Sequence, residues 1–219
     1  MVDRQMAPMK ITEIFHSIQG ESSYAGQPCV FVRLTGCPLR CTWCDTAYAF
    51  YGGTELRLRD IMDRVRSFRC RLVEITGGEP LHQPDVFHLV TALCDEEFEV
   101  LIETSGAIDI TPVDPRARVI LDIKCPGSGM TDRMDWENLK RLKTSDEVKF
   151  VIKDRADYDW ASATLLHYGL AKRLTVLFSP VFGELDPKQL AEWMLADKLP
   201  VRFQMQLHKY IWSPDTRGV

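Results

Sequence analysis

Residues 29–46, CVFVRLTGCPLRCTWCDT, join a β-rich run to a loop that places Cys37, Cys41 and Cys44 in the spacing CxxxCxxC. Gly36 and Pro38 break regular structure there, so the three sulfurs converge with no core to fill. Three soft ligands can hold a [4Fe-4S] cluster and leave one iron open for another molecule. A zinc site is the alternative; it would need a fourth ligand, from Asp45 or a distant histidine. Of the seven cysteines, Cys29, Cys70 and Cys94 sit in apolar or mixed runs with no ligand spacing, which suits core packing. Cys125 fits neither pattern.

Outward from this loop, short apolar runs alternate with helical periodicity. ELRLRDIMDRVRSF sets Leu58, Ile61, Met62 and Val65 at helical spacing before the strand RLVEITG. Pro84 opens DVFHLVTALCDE, with Phe87, Val90 and Leu93 or Cys94 inward, before EVLIETSG. RVILDIK, EVKFVIKD and LTVLFSPV read as further strands, the last two preceded by DWENLKRLK and ADYDWASATLLHYG, and PKQLAEWMLAD precedes VRFQMQLHKYI. The connection TPVDPRA is too short for much helix. MKITEIFHSIQG, residues 9–20, suits an edge strand followed by a loop.

Strands alternating with helices imply parallel βα units with right-handed crossovers. About six units in 219 residues fall short of the roughly 250 residues of a complete barrel. The expected fold is therefore α/β, an incomplete TIM-like barrel of about six parallel strands with some helices reduced; doubly wound packing is the alternative. One domain spanning residues 1–219 is expected, with the cysteine loop at 36–46 and a tail at 208–219.

Composition bounds the function. Hydrophobic residues make up 45% and charged residues 26%, ordinary for a globular chain, and no apolar run nears the ~18–20 residues of a membrane helix. MVDRQMAPMK lacks the apolar segment of a signal peptide, which points to the reducing cytoplasm. A net charge of −4 argues against broad nucleic-acid binding, and Arg64, Arg66, Arg69 and Arg71 read as a solvated helix end.

In βα barrels the active site lies at the carboxyl ends of the strands. Here polar or glycine motifs follow nearly every strand: the cysteine loop, TGGEP, ETSG, DIKCPGSG, SPVFGE and QLHK. Common placement on one rim is hard to explain by turn chemistry alone.

CxxxCxxC followed by GGEP after the next strand resembles the radical S-adenosylmethionine superfamily. HSIQGES near the start, CDT at the third cysteine and the ending QLHKYIWSPDTRGV are similar to its 7-carboxy-7-deazaguanine synthase family, over residues 11–219. The resemblance implies ring contraction of 6-carboxy-5,6,7,8-tetrahydropterin to 7-carboxy-7-deazaguanine with loss of ammonia, in queuosine and deazapurine biosynthesis. Cys37, Cys41 and Cys44 would each bind one iron of a [4Fe-4S] cluster, and the fourth iron would chelate S-adenosylmethionine, used catalytically. It further implies a homodimer, a flavodoxin-like electron donor, and Mg²⁺ on the Thr46 hydroxyl; the alternative for Thr46 is a helix or turn cap.

Within that frame, Gly77 and Gly78 would let backbone approach the methionine part of the cofactor, and Glu79, held extended by Pro80, would offer its carboxylate to the ammonium. Ser105, Ser128, Lys124 and Ser179 are candidate cofactor contacts or ordinary loop polarity. Ile18, Gln19 and Glu21 would meet the guanine-like edge of the pterin, Arg33 its carboxylate, and Thr76 would add a contact. His208, Trp212, Pro214 and the terminal carboxylate of Val219 would fold back near the site. Two rivals stand beside this: an activase that installs a glycyl radical on a partner protein, and a zinc-binding interaction module.

Overall fold

The computed structural model describes residues 7–219; most of the amino-terminal stretch used to judge export, residues 1–6, lies outside it. Among the described residues nine strands form one sheet: β1 (Met9–Ile18), β2 (Pro28–Leu34), β3 (Thr54–Leu56), β4 (Leu72–Gly77), β5 (Glu99–Thr104), β6 (Arg118–Ile123), β7 (Glu147–Ile152), β8 (Thr175–Pro180) and β9 (Arg202–Phe203). Their order is β3-β1-β2-β4-β5-β6-β7-β8-β9. From β2 onward along this order every pair is parallel, while β1 runs antiparallel to both β2 and β3. The sheet does not close, so the partial TIM-like barrel is the architecture.

The helices are α1 (Leu58–Ser67), α2 (Val86–Asp95), α3 (Asn138–Arg141), α4 (Arg155–Tyr168), α5 (Pro187–Asp197) and α6 (His208–Ile211). No α-helix joins β5 to β6, as the short TPVDPRA connection required, and DWENLKRLK between β6 and β7 forms only the single turn of α3.

Alternation along the strands decides what faces where. Val30, Val32, Val73, Ile75, Val100, Ile102, Val119, Leu121, Val148 and Phe150 pack with Ile61, Val65, Leu89, Leu93, Tyr158 and Leu190 of the helices in one buried core. The intervening residues point to the concave side. Near the strand starts these are apolar, and Cys29, Phe31, Leu72, Leu101 and Ile120 form a second core sealed by Tyr24. Cys94 and Cys125 are buried in the first core, and Cys70 packs partly buried against both.

Three expectations change. Residues 9–18 do not form an edge, because Thr54–Leu56, of which Glu55 and Leu56 read from sequence as the start of a helix, pairs with Met9–Ile11. Phe87 is only half-buried, while Val86 and Leu89 face the core instead. VRFQMQLHKYI is a strand only at Arg202–Phe203: Gln204 N still donates to Phe178 O, but by Leu207 the chain has left the sheet and donates to Gly20 O, and His208–Ile211 turns helical.

The loop after β4 is fastened from both sides. A Cβ on Gly77 would stand 2.5 Å from Leu34 O, and one on Gly78 would run into Gly36 O and lie 2.8 Å from Cys37 Cβ. Glycine there lets the GGEP turn lie flat against the cysteine loop, where Glu79 N donates to Gly36 O. The Glu79 carboxylate is fully buried and accepts from Leu81 N, Thr104 Oγ1, Ser105 N and Ser105 Oγ at 2.6–3.0 Å. Replacing Glu79 by Ala strands these donors, and since one unsatisfied buried group costs about 1–3 kcal/mol, a clear drop in the urea midpoint with unchanged m-value is expected.

Candidate active site

A cavity of about 740 Å³ opens at the carboxyl ends of the strands. One wall is the cysteine loop, with Cys37, Cys41, Cys44, Asp45 and Thr46; the floor carries side chains from successive strands; the far wall is the tail, Pro214–Val219. Arg217 holds that tail down by lying over the Tyr48 ring, 4.1 Å from its centroid.

The donor set suits an iron–sulfur cluster. Burial pushes the Cys37 and Cys41 thiols up, against ionisation, a cost that coordination to iron removes. Leu39 N–H points at Cys37 Sγ at 3.4 Å, the kind of backbone contact that tunes a ligating sulfur. Among the described residues no three His, Cys, Asp or Glu side chains converge tightly enough to chelate a single ion. A cluster needs less convergence, because each cysteine takes a different iron. The loop is anchored by Thr42, whose N and Oγ1 donate to Ser128 O and Gly127 O.

Thr46 lines the same cavity. It precedes the short 3₁₀ turn Ala47–Ala49 but makes no side-chain cap bond, and its hydroxyl stands 3.8 Å from Cys44 Sγ. The hydroxyl therefore does not cap that turn; its contact is with Cys44 within the loop.

The floor is charged in a way the sequence reading missed. Glu74, Glu103, Asp122 and Lys149 all face the cavity. Lys149 Nζ lies 2.7 Å from Glu21 Oε2 and 3.4 Å from Asp122 Oδ2, and also bonds Glu103. Burial opposes its charge, but Glu103, Glu21 and Asp122 outweigh that and hold it protonated far above the usual range. Glu21 accepts additionally from Gln204 and Gln206; burial alone would raise its pKa, yet Lys149 foremost, with His208, brings it down to about 2. Burial and the neighbouring charges of Glu103 and Glu21 push Glu74 well up, and it accepts from Gln19 Nε2. Each of these four interrupts an apolar strand at an inward position: LVEITG, EVLIET, RVILDI, EVKFVI. Parallel strands buried on both faces read as continuous apolar runs, so a charge inside one was the available signal.

Ile18, Gln19, Glu21, Arg33, Thr76 and His208 all line the cavity, as do Gly77, Gly78, Ser105, Lys124 and Val219. Arg33 Nε donates to Glu13 Oε1, which also accepts from Tyr48; Glu13 and Tyr48 were not anticipated. Lys124 pairs with Asp122 at 2.8 Å.

Three of the expected residues stand off the cavity lining. Glu79 is outside the cavity lining; its oxygens accept from Leu81, Thr104 and Ser105, so it shapes the GGEP turn. Ser128 is fully buried, donates to Cys125 O and accepts from Met130 N, so it builds the turn that carries the cysteine loop. Ser179 is likewise fully buried, outside the lining, and its hydroxyl has no partner.

Residues 31–127 match the model of the radical SAM superfamily. The chain is 50% identical over 216 residues to a 7-carboxy-7-deazaguanine synthase of Chlorobaculum tepidum, covering 97% of this chain and 98% of that one. It is 45% identical to one of Koribacter versatilis, covering 96% and 100%, and 41% identical to one of Thermoplasma acidophilum, covering 96% and 100%. Among solved structures, QueE from Escherichia coli superposes with a TM-score of 0.74 at 24% identity, covering 90% of this chain and 93% of that one. Streptococcus suis SuiB bound to its precursor peptide gives 0.60 at 14%, covering 81% and 49%. This chain belongs to the 7-carboxy-7-deazaguanine synthase family, and it is a radical SAM lyase.

Proposed function

We propose that the chain converts 6-carboxy-5,6,7,8-tetrahydropterin to 7-carboxy-7-deazaguanine with loss of ammonia, in queuosine and deazapurine biosynthesis. The observation that carries this reading is that the cysteine loop and Gln19, Glu21, Arg33 and Thr76 border one cavity. Residues 1–219 act as one catalytic domain, in a cytoplasmic homodimer served by a flavodoxin-like reductant. No helix among the described residues is long and apolar enough to cross a membrane.

Cys37, Cys41 and Cys44 hold the [4Fe-4S] cluster, which with S-adenosylmethionine supplies hydrogen-atom abstraction when both are bound. The chain's own groups do the rest. Gly77 and Gly78 bring the turn backbone to the cavity wall, and Glu79 holds that turn rigid. Ser105 and Lys124 are the cofactor contacts among the anticipated polar residues, since both reach the cavity. Arg33 keeps the donors not engaged by Glu13 for the substrate carboxylate. Glu21, held ionised, accepts from the N–H edge of the pterin, with Gln19, Ile18 and Thr76 beside it, and buried partners of this kind discriminate strongly against analogues lacking the matching groups. His208 and the Val219 carboxylate close the pocket from the tail.

Thr46 would hold Mg²⁺ through its hydroxyl, and the cation would supply positive charge toward the oxygens of the substrate. A cavity walled by the chain's own tail suits a small molecule better than a protein segment, which favours this reading over a glycyl-radical activase.

Anaerobic incubation of reconstituted protein with the pterin, S-adenosylmethionine, reductant and Mg²⁺ should release ammonia and a product of the expected mass; absence of both would overturn the assignment. Cys41→Ala should lose the cluster's visible absorbance and at least ~10-fold in turnover, with iron counted per chain as the check. Thr46→Ala should abolish most of the stimulation by Mg²⁺ while S-adenosylmethionine binding, followed by calorimetry, changes little.

A further inference from the structure

Among the charges on the cavity floor to which the pterin reading gives no task, Lys149 is the one cation. Lys149 is the inward residue at the centre of β7, in register with Asp122 of β6 and Leu177 of β8. Its side chain is 4% exposed, yet it lines the cavity. An ammonium there is tolerated only with partners on several sides, and those partners come from separate parts of the chain: Glu21 from the loop after β1, Glu103 from the end of β5 and Asp122 from β6.

Glu21 belongs to no strand. The loop that carries it lies against the side where the barrel fails to close, and Ser22 N donates to Gln204 Oε1 while Leu207 N donates to Gly20 O. These contacts fix the loop backbone to the segment after β9. Ser23 N and Oγ tie the same loop to Glu147 of β7, but among the described residues Lys149 alone bonds the Glu21 carboxylate itself from the parallel strands, since Gln204 and Gln206, its other donors, belong to the carboxyl-terminal segment.

We propose that Lys149 is the positioning residue of the substrate pocket: its ammonium, clamped between Glu21 and Glu103, sets where the Glu21 carboxylate faces the N–H edge of the pterin. This rests on the pterin reading and adds to it a residue outside the strand-end motifs. Lys149 is assigned no proton transfer and no contact with the reacting carbon; it acts through Glu21, on recognition.

The test is a double-mutant cycle on the reconstituted holoenzyme, Lys149→Met, Glu21→Gln and the pair, with Lys149→Arg as the conservative variant. Lys149→Met should raise KM for the carboxytetrahydropterin by roughly 30-fold or more, the lower bound expected when one partner of a buried charge pair is truncated, with a smaller change in kcat. Binding of the same pterin to metal-free protein, followed by calorimetry, should weaken by a similar factor. Lys149→Arg should recover part of the loss. Glu21→Gln should cost far less in the Lys149→Met background than alone, because Glu21 has by then lost its anchor. Wild-type KM in Lys149→Met, a defect confined to kcat, or additive effects would overturn the assignment. Should Lys149→Met fail to fold, the cycle of Lys149→Arg with Glu21→Gln decides by the same criterion. A wild-type protein that neither binds nor consumes the pterin would instead remove the substrate reading itself.

Discussion

One constraint shapes this molecule: in a strand, neighbouring side chains point to opposite faces. The helices cover the convex face of the sheet and demand apolar residues at every second position. That frees the alternate positions. Near the strand starts they build the small core under Tyr24, and toward the carboxyl ends they become Glu74, Glu103, Asp122 and Lys149. The same alternation therefore stabilises the scaffold and furnishes the pocket.

Burying so many charges is costly unless they satisfy one another. Here they do so as a network. Lys149 is held charged by three carboxylates, Glu21 stays ionised because Lys149 is close, and Glu74, next to those acids, is pushed toward its neutral form. The pocket gains both an ionised acceptor and a neutral hydrogen-bonding group from the placement of these side chains.

The motifs at the strand ends divide into those that touch the cavity and those that hold it. Gly78 and the cysteine loop pack backbone to backbone, and Glu79 ties the resulting turn to Thr104 and Ser105. Ser128 supplies a carbonyl to Thr42 of the cysteine loop. These residues look like ligand contacts when only their position after a strand is known, since a polar residue beside a site and one inside it have the same sequence context. The tail behaves oppositely: it carries little regular structure, yet its last six residues wall the cavity.

The sequence by itself determined the cysteine loop, the order of strands and helices, the shortened connections, and the rim on which the motifs meet. Each follows from local spacing or periodicity, which one segment carries alone. Only the tertiary structure decided that Thr54–Leu56 completes the sheet beside β1, that β9 ends after two residues, that Glu79, Ser128 and Ser179 stay out of the cavity, and that Lys149 joins Glu21 across 128 positions of chain. Which of two polar residues receives a ligand depends on partners brought from distant segments, and those partners exist only once the barrel has wrapped.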